Sequence, residues 1–212
     1  MKTHSKSKAL IALVLAITIA ATGCSAQWIN IALQDLPVLT QMALNIATLV
    51  SALATGKQAS SADAAVIQNI SAQASRDLNL LQTLYGEYKA NPNSTTLQKI
   101  QTAISDLNQN LPAMLESAHI SNETLAARVT AAVNLILTTV NSFASLMPKP
   151  ASTPAARTQT TEQRSPTSQT QTTAGITTLP HVKDLKAKWN EQVCASSGNA
   201  AFDEALADCS IR

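Results

Sequence analysis

Apolar side chains recur along most of this chain in alternating steps of three and four, the spacing of helices that bury one stripe. Leu39, Met42, Ile46, Leu49 and Leu53 keep that rhythm, with Leu36, Ala43 and Val50 beside them. Pro37 suits a helix first turn, so Trp28 to Leu36 is expected as a separate short helix or a kinked lead-in. Thr55-Gly56 is expected to close the element. Ser60 or Ser61 opens a second helix with Asp63 in its first turn. Its stripe is Ile67, Ile70, Ala74, Leu78, Leu81, Tyr85 and Tyr88, and Asn91-Pro92 ends it.

Ser94 is expected to cap a third helix carrying Leu97, Ile100, Ile104, Leu107 and Leu111. Pro112 disfavours helical geometry at Leu111, which predicts a break or kink there and a short piece through His119. Ser121 or Asn122 starts a fourth helix with Glu123 in its first turn and the apolar line Leu125, Val129, Val133, Ile136, Val140, Phe143 and Met147.

From Pro148 to Pro180 the pattern collapses into Thr, Ser, Gln and Pro. A stretch with so few large apolar residues cannot offset its ordering entropy and reads as a disordered linker. Beyond it, Val182, Leu185, Trp189 and Val193 share one helical face, Ser196-Ser197-Gly198-Asn199 turns the chain, and Phe202, Leu206 and Cys209 face back. The predicted fold is therefore all-α: an antiparallel four-helix bundle over 24–147, a linker over 148–180 and a small helical hairpin over 181–212. The hairpin has too little core to be firmly stable alone, so it docks on the bundle or orders on a partner.

Composition narrows the functions. Five glycines, at 23, 56, 86, 175 and 198, cannot build a phosphate cradle or a dinucleotide-binding turn. The formal charge of +2 includes Lys2, Lys6 and Lys8; the remaining twelve basic residues face thirteen acidic ones, leaving no basic stripe for nucleic acid.

The amino terminus carries the most specific signal. Lys2, His4, Lys6 and Lys8 precede an uncharged run from Ala9 to Thr22, too short to span a bilayer core comfortably and ending in small residues. That is the layout of a cleaved export signal over 1–23. Ala21-Thr22-Gly23-Cys24 resembles the lipobox of bacterial lipoproteins, with Ala21 where Leu is usual. The resemblance implies that Cys24 becomes the lipid-modified first residue, held stably at a membrane by two or more acyl chains. It also implies, from Ser25 where an inner-membrane retention signal carries Asp, the periplasmic face of an outer membrane if the cell has two. Cleavage after Cys24-Ser25-Ala26 and an uncleaved anchor are the competing readings.

With Cys24 lipidated, Cys194 and Cys209 remain in an oxidising space and are expected to form a disulfide. Two free thiols are the alternative. A zinc site finds little support, because His181 is the only nearby histidine and no second Cys-x-x-Cys pair exists.

Catalytic constellations are thin. Glu116 and His119 are set to share a helical face, where a solvated polar patch is the plain reading and a metal or acid/base pair the sharper one. Tyr85 and Tyr88 read as a packing contact before an aromatic ligand site, and Gly86 as either a close backbone approach or a fraying end. Asp77, Glu87, Asp106 and Glu123 read as surface charge. No catalytic residue, metal or cofactor is assigned.

Two windows, Leu36 to Gly56 and Val129 to Met147, hold no ionisable side chain. They read first as central helices of a soluble bundle, because Thr40, Gln41, Asn45, Thr48 and Ser51 in one and Asn134, Thr138, Thr139, Asn141 and Ser142 in the other would be costly in lipid unless paired. The expected function is non-enzymatic: a lipid-anchored envelope protein with a structural or protein-interaction role, bound to the membrane and to an envelope protein partner through the hairpin as an interaction arm. A membrane-inserting bundle, resembling in outline those of pore-forming proteins, is the first alternative. A bundle binding a small ligand is the second.

Overall fold

The computed structural model describes the backbone from His4 to Pro148 and from His181 to Arg212, with side chains from Gln27 onward. Residues 1–3, the side chains of the rest of the expected signal and of Cys24, and all but the first residue of the expected linker lie outside the described residues. Among the described residues six helices follow in order: α1 (His4–Thr55), α2 (Ser61–Ala90), α3 (Ser94–Ser117), α4 (Glu123–Leu146), α5 (Val182–Gln192) and α6 (Ala200–Ala207).

Helices α1 to α4 close a ring in which each packs on its two chain or ring neighbours. The first pair is antiparallel: Ser51 faces Gln68, Ala43 faces Ser71 and Trp28 meets Tyr85. This is the four-helix bundle that the three-and-four spacing predicts. All seven stripe positions expected on α2 and all seven on the fourth helix and its cap are buried. Each large aliphatic or aromatic side chain removed from water stabilises the fold by about 1.5–3 kcal/mol.

The same burial overrides one of the alternatives expected at each proline, a separate helix before Pro37 and a break at Pro112. α1 runs unbroken through Pro37 and α3 through Pro112. A proline inside a helix costs about 3 kcal/mol or more. On α1 the burial of Trp28, Ile29 and Ala32 before the proline offsets that cost; on α3 Ala118 is buried after it, with Met114 and Leu115 packed against the core. A third correction concerns the start of α3, where Asn93 is the cap and Ser94 the first helical residue. Asn93 has extended backbone and its Oδ1 accepts from Thr96 N at 2.8 Å. Ser60 and Asn122 cap α2 and α4 in the same way.

One end of the bundle is tied by Asp63, whose carboxylate accepts from the Ser121 N–H at 3.1 Å and its hydroxyl at 2.7 Å, while Asn122 Nδ2 donates to the Gln58 carbonyl at 3.0 Å. Burial alone would raise the Asp63 pKa, but the hydrogen bonds from Ser121 and Ser60 outweigh it and hold the group below its ordinary value. The other end is aromatic: Trp28 lies 5.5 Å from Tyr85 and 6.2 Å from Tyr88, and Tyr85 lies 6.4 Å from Phe143.

Candidate functional site

The C-terminal hairpin does not stand free. Helix α5 packs on both α1 and α4, and α6 packs on α1, so the arm lies along the seam between the first and fourth helices. Leu185, Trp189, Val193, Phe202 and Leu206 are all buried there. Of the two expected occupants of the arm's apolar face, the bundle or a partner, the protein's own bundle takes it.

Inside the arm no buried polar side-chain atom lacks a partner among the described residues. The sulfurs of Cys194 and Cys209 are at disulfide distance, with Cα atoms 5.6 Å apart and a sequence separation of 15. Helix α6 is only eight residues long, and Cys209 just beyond its end lies back against Cys194 just beyond the end of α5. Trp189 Nε1 donates to the Cys209 carbonyl at 2.9 Å, and Asn190 exchanges two hydrogen bonds with the backbone of Ile211. Gly198, at φ +79, supplies the left-handed step of the turn. Asp203 closes that turn by accepting from the Ser196 hydroxyl at 2.6 Å and from the Ser197 N–H and hydroxyl, which holds its carboxyl down at about 2.

Three side-chain hydrogen bonds join arm to bundle among the described residues. Asn45 Nδ2 donates to the Cys209 carbonyl at 3.3 Å, and Arg128 donates to the carbonyls of Gln192 at 3.1 Å and Ser196 at 3.4 Å. The clamp is polar at its two margins and apolar between them.

Asp35 is the residue that sequence reasoning missed. Stepping back from Leu39 by the same rhythm lands on Asp35, Ala32 and Trp28, and all three are buried. A carboxylate therefore occupies the apolar seam of α1, 1% exposed, with its Oδ2 lacking any hydrogen-bond partner among the described residues. Burial pushes its pKa up to about 6, against an opposing pull from His181 at the start of α5. A search for apolar stripes begins at Leu36 and stops one residue short of it.

The other residues singled out in the sequence resolve into structure. Tyr85 and Tyr88 are core residues, and burial raises the Tyr85 phenol above its usual range. Nothing approaches within 4 Å of a Cβ built on Gly86, so no close backbone contact demands a glycine. His119 ends α3 with left-handed backbone at φ 45, off the helical face that it was expected to share with Glu116. Asp77 accepts from Gln73 on its own helix, and Glu123 lies in the first turn of α4. Among the described residues no three His, Cys, Asp or Glu side chains are grouped to hold a metal.

Away from the arm, a groove of about 380 Å³ between α2 and α3 has Leu84 and Ala103 on its walls and Lys99 and Asp106 beside them. Leu80 lines it at 50% exposure. No protein-family model matches the chain, and no curated protein or solved structure matches it.

Proposed function

We propose that this chain is a lipid-anchored, non-enzymatic protein of a bacterial cell envelope, a helical bundle held at a membrane through Cys24 and serving a structural or protein-interaction role. The observation that carries the reading is the Cys194–Cys209 pair at bonding distance, which suits an oxidising, exported setting and fits the lipobox-like Ala21-Thr22-Gly23-Cys24. The periplasmic face of an outer membrane is the favoured address in a two-membrane cell. With the arm's apolar face turned inward, the α2/α3 groove around Leu80 is an apolar surface open to an envelope partner.

Metabolic labelling with a radioactive fatty acid tests the anchor. The wild-type chain should take up label and Cys24→Ala should not. An unlabelled wild type, or equal uptake by the variant, would defeat the proposal.

A second reading, insertion of the bundle into a membrane, draws on one specific observation. Gln27–Thr55 and Glu123–Leu146, of 29 and 24 residues, are long and apolar enough to cross a bilayer by length and composition. Their hydroxyls are largely paired inside their own helices: Thr40, Thr48, Ser51 and Thr55 on α1, and Thr130, Thr139 and Ser142 on α4, each donate to the carbonyl four residues earlier. The polar interruptions that argue against lipid in the bare sequence cost far less once paired this way. Dye release from vesicles tests this reading.

A further inference from the structure

We infer that the open face of α2 and α3 is where a second copy of this chain docks, the two bundles meeting about a two-fold axis that runs along the groove between those helices. The inference deepens the proposed interaction role by naming the partner. It rests on the anchored reading only for the direction in which the two copies point.

The face is built from two exposed stripes. On α2, Arg76, Leu80 and Glu87 follow one another at steps of four and seven, and on α3, Lys99, Thr102 and Asp106 at steps of three and four, so each set shares one side of its helix. Helix α2 ends at Ala90 and α3 begins at Ser94, so residues counted equally far from that turn lie side by side in the antiparallel pair. Leu80 is thereby level with Ile104, Glu87 with Leu97 and Arg76 with Asn108. The groove agrees with this register, since Thr102, Ala103 and Asp106 line it together with Leu80.

The charges then form a checkerboard, with Glu87 and Lys99 at one end of the groove and Arg76 and Asp106 at the other. Each pair is offset by two residues, about 3 Å along the helix axis. Turning a second copy over about an axis along the groove lays α2 of each on α3 of the other, at the same level and antiparallel to it. Glu87 then meets Lys99 of the second copy, and Arg76 meets Asp106 of the second copy. Between them Leu80, 50% exposed, sits over the second copy's Thr102 and buried Ala103, whose small side chains leave room for a leucine. Every charge is answered by its opposite, and the symmetry makes each contact twice.

That self-matching decides for a second copy. An unrelated partner would have to carry the complementary pattern in a sequence of its own, whereas another copy carries it by symmetry. Outside the expected signal twelve basic residues face thirteen acidic ones, so two copies meet without strong net repulsion. The arm sits on α1 and α4 and leaves the face clear. A two-fold across the helices would also oppose unlike charges, Lys99 to Asp106 of the second copy, but it sets Leu80 on Thr83 and sends the two α1 starts in opposite directions. The axis along the groove points both the same way, as two Cys24 anchors in one membrane require.

The test uses the full chain in a mild non-ionic detergent, with the mass taken from light scattering and the Kd from sedimentation equilibrium. The wild type should be dimeric at about 100 μM, where a micromolar Kd leaves little monomer. Leu80→Asp should weaken association more than roughly tenfold, and Lys99→Glu by about tenfold, because symmetry turns two attractive contacts repulsive. Helical circular dichroism should stay unchanged in both, since these side chains are exposed. Adding Glu87→Lys to Lys99→Glu should bring the Kd back to within about threefold of wild type. A monomeric wild type overturns the second copy, and fatty-acid labelling of the same preparation shows separately whether the anchored reading stands. Mass that keeps growing past two chains overturns the closed two-fold. A double variant as weak as Lys99→Glu overturns the axis along the groove, because a two-fold across the helices gains nothing from the second change. Leu80→Asp that dimerises like the wild type overturns the face itself.

Discussion

Asn45 on α1 donates to the backbone carbonyl of Cys209 at 3.3 Å, across 164 residues of chain. The same carbonyl accepts from Trp189 Nε1 at 2.9 Å, so one oxygen joins the bundle, the α5 indole and the disulfide. Removing the Asn45 amide leaves that oxygen paired through Trp189. Asn45→Ala should therefore lose the net worth of that bond, about 0.5–1.5 kcal/mol by denaturant unfolding, since the exposed Gln41 amide that Asn45 Oδ1 also accepts from can turn to water. Asn45→Asp should cost more, because it replaces a donor with a negative charge facing a carbonyl.

Trp189 carries the apolar half of the same attachment. It is fully buried between the arm and its seam. Trp189→Ala should destabilise the arm by about 3–5 kcal/mol, the usual cost of emptying a buried aromatic site. Because α2 and α3 do not pack on the arm, hydrogen exchange should accelerate across residues 182–207 while 61–117 keeps its protection. Equal acceleration in both regions would show that the arm is integral to the bundle's core.

The disulfide makes a separable prediction. Replacing Cys194 and Cys209 together by Ser removes a crosslink worth about 3 kcal/mol for a loop of this length in the chain-entropy model. The bundle's helical circular dichroism should persist while arm protection falls. The unreduced wild-type chain should yield no alkylated peptide containing either residue, and alkylation of both would deny the bond.

These attachments also mark how far the sequence could be read. The stripes of α2 and α4 were legible because each apolar position answers to a periodicity local to its own helix: Ile67 through Tyr88 and Leu125 through Met147 all point inward. Pro37 and Pro112 were misleading because their local cost is set against tertiary burial of Trp28, Ile29, Ala32 and Ala118, which no local pattern displays. The cysteine pair could be reasoned out by counting. The seam on which the arm docks could not, since Leu185 and Trp189 show an apolar face without saying what covers it. Asp35 was readable in principle, one step of four before Leu39, but only to a search that allows a carboxylate into an apolar register.

Helix ends give an independent check on the fold. Lys57 and His119 hold left-handed backbone at φ 60 and 45, while Gly56, one residue before Lys57, does not use its freedom. Non-glycine side chains are disfavoured there by about 1 kcal/mol. Lys57→Gly and His119→Gly should each raise stability by roughly 0.5–1 kcal/mol, and Gly86→Ala, in open space inside α2, by a similar amount. A loss on His119→Gly would point to a role for its imidazole beyond ending α3.

Asp35 supplies the sharpest test of the seam. Its folded pKa of about 6 lies above the ordinary 3.8 because burial disfavours the charged form. A group raised in this way contributes stability that is complete below its unfolded pKa and disappears as pH climbs through the folded one. Other carboxylates act oppositely: Asp63 and Asp203, both held low, support the fold above the ordinary carboxylate range and lose that support in acid. The Asp35 contribution is therefore read as the difference between the wild type and Asp35→Asn, which keeps the size and removes the charge. The two should melt together below about pH 4 and separate up to about pH 6, the variant being more stable at neutral pH by on the order of 1–3 kcal/mol, or several degrees in Tm. A pH-independent difference would place the carboxyl in water, outside the seam. A variant less stable at neutral pH would mean that the carboxylate is paired there, for which a buried cation or the His181 imidazolium is the fitting partner.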